Sequence, residues 1–69
     1  MQYHENIDNV ITIYLRKTGK TQEQLANEIG LNTGEALSMK RAGKTEFKLS
    51  EVVSLCEITD TPIDTLVFG

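Results

Sequence analysis

Apolar residues recur along this chain at spacings of three and four and nowhere alternate over a useful length, and glycines at 19, 30 and 43 interrupt the runs. That pattern admits short amphipathic helices and argues against a sheet. Ile7, Val10, Ile11 and Tyr14 form the first stripe and predict a helix from about Glu5 to Lys17, closed by Gly19 as a left-handed cap. Thr21 with Gln24 three residues on reads as a capping box. The helix it opens carries Leu25, Ala26 and Ile29 inward and stops at Gly30. Asn32 with Glu35 repeats the start signal and predicts a third helix from about Thr33 to Arg41. Phe47 reads as a core plug in a loop, and Leu49, Val52, Val53, Leu55 and Cys56 as a fourth stripe reaching about Ile58. Thr61-Pro62 is a cap-then-proline start for a fifth helix, Pro62 to about Val67.

The chain has 69 residues, which allows one small domain spanning 1–69 and excludes a two-domain enzyme, a solenoid or a doubly wound sheet. A chain this short buries only ~60% of its unfolded surface, so its architecture should be a compact all-α bundle of five helices. At 39% hydrophobic and 25% charged it has ordinary globular composition, not that of a disordered tail. No apolar run approaches the ~20 residues of a membrane span, and the N-terminus lacks the basic and apolar regions of a secretory signal. A cytoplasmic location is the expectation. Cys56 is the single cysteine, so neither an internal disulfide nor a cysteine-built zinc site is expected. His4 has no second ligand near it, and no nucleophile–base pair or glycine-rich phosphate cradle is present. An enzyme, a metal and a cofactor are therefore not expected.

The net charge of −3 is unevenly spread. All seven bases (Arg16, Lys17, Lys20, Lys40, Arg41, Lys44, Lys48) lie between positions 16 and 48, a window that nets +3, between acidic ends of −2 and −4. A basic middle suits a polyanion, and the acidic ends suit a different partner; chance segregation in a short chain is the plainer reading. The four aromatics, Tyr3, Tyr14, Phe47 and Phe68, are not spaced as a base-stacking platform and read as core or interface.

The stretch Gln22 to Arg41, QEQLANEIGLNTGEALSMKR, resembles the helix-turn-helix of the phage Cro and lambda-repressor-like (XRE) family. Leu25, Ile29, Leu31, Ala36 and Met39 fill its apolar places, Ala26 its small crossing residue, and Gly30 its turn, where φ must be positive. The run Gly43–Val52 and the ending Thr61–Leu66 also look like this family. The resemblance implies a DNA-binding regulator, a repressor of the Cro type from a phage or other mobile element. Its second helix would lie in the major groove of double-stranded operator DNA, with a homodimer on the DNA and no small-molecule ligand. It implies Gln22 as a phosphate contact, and Asn32, Thr33, Gly34, Leu37 and Ser38 as the groove-facing set. Lys17, Lys20, Lys44 and Thr45 would lie along the backbone phosphates, with Arg41 a further DNA-binding candidate of unassigned role. Leu37 could instead pack on a neighbouring helix, and Lys40 and Arg41 could be solvated charges. Glu35 reads as a cap rather than a base contact. Leu66, Val67 and Phe68 are the candidate dimer surface or else part of the core. The chain departs from the family in having Thr33-Gly34-Glu35 where arginine, glutamine or lysine is usual, and Lys48 where a serine or threonine caps the fourth helix. Those departures and the acidic ends leave a second reading open: a protein-interaction module on the same fold, antirepressor-like or antitoxin-like.

Overall fold

A computed structural model describes residues 3–68, with Tyr3 by its backbone alone, so the expectation for its ring lies outside the described residues. Five helices and no strand occur among them: α1 (Tyr3–Thr18), α2 (Gln22–Glu28), α3 (Gly34–Arg41), α4 (Leu49–Thr59) and α5 (Ile63–Phe68). None is long and apolar enough to cross a membrane.

The helix limits follow from local chemistry. Gly19 takes φ 73 and ends α1, where its N–H donates to the Leu15 carbonyl at 2.9 Å. The Thr21 hydroxyl accepts from the Gln24 N–H while the Gln24 side chain accepts from the Thr21 N–H, a closed capping box at 3.1 and 2.8 Å. Gly30 takes φ 91 in the turn that follows α2. The cap of α3 is one residue later than the sequence pattern implies. Thr33, not Asn32, accepts from the Ala36 N–H at 3.1 Å, so Glu35 is not the acid of a capping box. Lys48 precedes α4 with no acceptor of its own, and Glu51 reaches back to its N–H at 2.8 Å. Thr61 does not cap α5; its hydroxyl bonds back to Thr59.

Ile7 and Ile11 of α1, Leu25, Ala26 and Ile29 of the α2 segment, Leu37 of α3, Val52 and Leu55 of α4, and Leu66 of α5 meet in one core, with Phe47 plugged into it from the α3–α4 loop. Two stripes are rotated from the expectation. On α3, Leu37 is fully buried and Met39 is exposed, because Leu37 and Lys40, three residues apart, make the inward face. On α4, the buried line is Glu51, Val52 and Leu55, which leaves Leu49 and Val53 outside. Cys56 is only half-buried, packed against the core from its edge.

Lys40 and Glu51 explain both rotations. Lys40 Nζ lies 3.0 Å from Glu51 Oε1 and donates to the Glu46 carbonyl at 2.8 Å. The ammonium also stands 5.9 Å from the centre of the Phe47 ring. A buried charge survives only when paired and hydrogen-bonded, and here each partner is. The pair joins α3 to α4 and ties down the loop between them.

Candidate nucleic-acid interface

The α2 and α3 helices pack as a pair, and their N-terminal ends touch. A Cβ built on Gly34 would come within 3.3 Å of the Glu23 Cα, so glycine here permits the close approach of two backbones. Any side chain at Gly34 would therefore point at α2, and what the partly exposed glycine could offer the expected groove is its backbone.

Gln22 bridges both ends of α3. Its Nε2 donates to the Gly34 carbonyl at 3.0 Å, and its Oε1 accepts from Arg41 Nη1 at 2.7 Å. Arg41 in turn donates from Nη2 to the Thr12 hydroxyl at 2.8 Å and pairs through Nε with Asp8. One guanidinium thus ties α3 to α1 and α2, using its planar fork of donors. Both polar ends of the Gln22 amide are occupied within the fold, and Arg41 is neither a solvated charge nor an open phosphate contact. Lys20 is also engaged, bonded to the Glu28 carboxylate at 3.1 Å and to the Tyr14 hydroxyl at 3.2 Å. Those two partners hold its ammonium above the ordinary lysine range, the tyrosine contributing most.

Leu37, with no exposed surface, is core and cannot touch a base. The side chains that α3 does present outward are Glu35, Ser38 and Met39, followed by Ala42, at the i, i+3, i+4, i+7 spacing of one helix face. Asn32 and Thr33 are exposed just before the helix, and Lys44 and Thr45 just after it. Sequence reasoning missed Met39, having assigned it to the core. The signal that finds it is the Leu37–Lys40–Arg41 side of the helix, which fixes the phase once Leu37 is taken as the anchor. The face is not uniformly basic, since Glu35 lies on it and the exposed Glu23 stands beside it in the first turn of α2. Among the described residues, Lys20, Lys40 and Arg41 make the three ion pairs, while Arg16, Lys17, Lys44 and Lys48 make none.

Of the expected dimer residues, Leu66 is fully buried and belongs to the core, Val67 is half-buried, and Phe68 is 70% exposed. Phe68 is not alone. Leu49 is 73% exposed, and Leu49, Ile63 and Val67 line a shallow depression of about 220 Å³ over Phe47 and Val52. Among the described residues, no three histidine, cysteine, aspartate or glutamate side chains gather as metal ligands would. No family model, no curated protein and no solved structure matches this chain.

Proposed function

We propose that the protein is a DNA-binding transcriptional regulator of the Cro and lambda-repressor-like kind, with α2 and α3 as its helix-turn-helix and α3 as the reading helix. The observation that carries this is the outward face of α3. It is uncovered and lined by small or flexible side chains, and it is held rigid by the Gln22–Arg41 bracket and the Lys40–Glu51 pair behind it. A reading helix needs such support, because base contacts demand fixed geometry while the affinity comes from phosphates. Ser38 and Asn32 read base edges, and Met39 takes the apolar contact with a thymine methyl that had been expected of Leu37. Lys44 and Thr45 follow the helix along the phosphate backbone. Two copies pair through Leu49, Ile63 and Phe68 to place two reading helices about 34 Å apart.

The second reading, a module that binds protein through the same face, is favoured by one observation. Glu23 and Glu35 stand exposed beside α3 while Gln22, Lys20 and Arg41 are spent on contacts inside the fold. An amide-resolved NMR titration with a short generic duplex at low salt separates the two. Under the DNA reading, shifts cluster at Thr33, Ser38, Met39 and Lys44 and fade as salt rises, since phosphate neutralisation releases counterions. Silence at those residues abandons the regulator and leaves the protein-interaction module.

A further inference from the structure

A cleft of about 380 Å³ opens where the second half of α1 meets the α4–α5 turn, away from the outward face of α3. Its volume lies within the range of about 300–1,000 Å³ typical of small-molecule sites. Val10, Ile13 and Ile58 supply an apolar floor, and Ile13 is left 65% exposed by the fold.

The rim carries two opposite charges. Lys17 comes from the last turn of α1 and Asp60 from the end of α4, and both are exposed. Among the described residues neither makes an ion pair, with each other or with any other group. Asp60 is the one described residue other than glycine with positive φ (53°), at the C-cap of α4, where its N–H donates to the Cys56 carbonyl. Aspartate and asparagine are among the few side-chain-bearing residues that adopt this conformation readily. The Thr61 N–H adds a second bond to the same carbonyl at 3.0 Å, which fixes the turn that presents the carboxylate. The hydroxyls of Thr18 and Thr59, also on the rim, donate to the Tyr14 and Leu55 carbonyls, whereas Thr65 makes no such bond among those described.

An apolar floor between an anionic group on a fixed turn and a flexible cationic group is complementary to a small zwitterion with an aliphatic body. We propose that the cleft binds a free aliphatic α-amino acid. Its carboxylate faces the Lys17 ammonium, its ammonium faces Asp60, and its side chain lies over Val10, Ile13 and Ile58. Lys17 then serves this cleft and not the DNA backbone. The site is open to solvent, so both charge contacts are screened and each contributes only a few-fold in affinity.

The test is an amide-resolved NMR titration of the full chain with L-leucine, N-acetyl-leucine and leucinamide, repeated on Lys17→Met and Asp60→Asn. Asparagine keeps the left-handed turn, so the second variant folds. L-Leucine should give saturable shifts confined to the cleft, and each singly charged analogue should bind about 2- to 5-fold more weakly. Lys17→Met should erase the difference between L-leucine and leucinamide, and Asp60→Asn the difference between L-leucine and N-acetyl-leucine. Absence of saturable shifts overturns the proposal, as do equal binding of all three probes or shifts outside the cleft. Because α3 takes no part, the outcome is independent of the DNA titration.

Discussion

Gln22 and Arg41 are joined by a 2.7 Å hydrogen bond that connects the first residue of α2 to the last of α3. The family resemblance implies DNA contacts for both; in the fold they hold α3 against α1 and α2. Loss of DNA affinity in a Gln22 variant would therefore report on positioning as well as contact. Arg41→Ala should cost about 1.5–3 kcal/mol, the range for hydrogen bonds to a charged group. Gln22→Ala should cost less, and the double variant should fall short of additivity. Urea unfolding of the three proteins checks this, and full additivity would mean that the bracket is not a unit.

The Lys40–Glu51 pair makes a sharper test, because buried ion pairs respond asymmetrically to mutation. Lys40→Met removes the charge facing Glu51 and should cost at least about 3 kcal/mol. Lys40→Met combined with Glu51→Leu removes both charges and should recover most of that loss, since the Glu46 carbonyl and Lys48 N–H lie in an exposed loop that water reaches. If the double variant is no more stable than the single, the pair is more than compensated burial.

Helix propensity and packing disagree at Gly34. Alanine is favoured over glycine inside a helix by about 1 kcal/mol, but its methyl would meet the Glu23 backbone at 3.3 Å. Backbone cannot move aside as a flexible side chain can, so packing should win and Gly34→Ala should lower the melting temperature. Valine at the same position should lower it further. A rise in melting temperature with alanine would show that the two helix ends have room to part.

Contacts with DNA can be sorted by how they respond to salt. Lys44→Ala should weaken binding on every sequence and reduce the slope of log K against log salt by about 0.9, the contribution of one phosphate. Ser38→Ala and Met39→Ala should leave that slope unchanged and flatten the preference among sequences. Fluorescence anisotropy over a salt series on two duplexes distinguishes them.

On the alkaline side the two perturbed groups act in the same direction. Burial pushes the Cys56 thiol above its ordinary value of 9.0, and the Tyr14 hydroxyl and Glu28 carboxylate raise Lys20 above 10.5. A group raised in the folded state contributes fully below its unfolded value and loses that contribution as pH rises through its folded one. Stability should thus be insensitive to these two groups at neutral pH and decline above pH 9, first through Cys56 and then through Lys20. Denaturant midpoints taken from neutral to strongly alkaline pH follow this directly. Alkylation of Cys56 at pH 8 should also be slower than that of a free thiol, because less of it is thiolate.

The helices were legible because their ends are written in short-range chemistry. Gly19, the Thr21–Gln24 box and Gly30 each act within a turn of their own position, and each does what local rules imply. What was hidden is which way each helix faces. Ala36, Leu37 and Met39 are all acceptable core residues on α3, and only the partner of Lys40, eleven positions on in another helix, selects Leu37. The same long-range contact turns Val53 outward on α4. The candidate DNA face was legible as a region, and Ser38, Asn32, Thr33, Lys44 and Thr45 are exposed there. The surroundings of Gln22 and Arg41 were not legible, because nothing in the sequence near Arg41 marks Asp8, Thr12 and Gln22 as its partners, or near Gln22 the Gly34 carbonyl.

The first and last helices of the bundle pack on each other: the Asn6 side chain reaches the Val67 carbonyl at 3.5 Å, and Leu66 is buried in the same core as Ile7 and Ile11. During synthesis the α1 stripe can meet its partners in α2, α3 and α4 as they emerge, but its packing is complete only when α5 has left the ribosome. A nascent chain stalled before Pro62 would leave the α5 side of that stripe uncovered, and the core closes only once Leu66 has emerged.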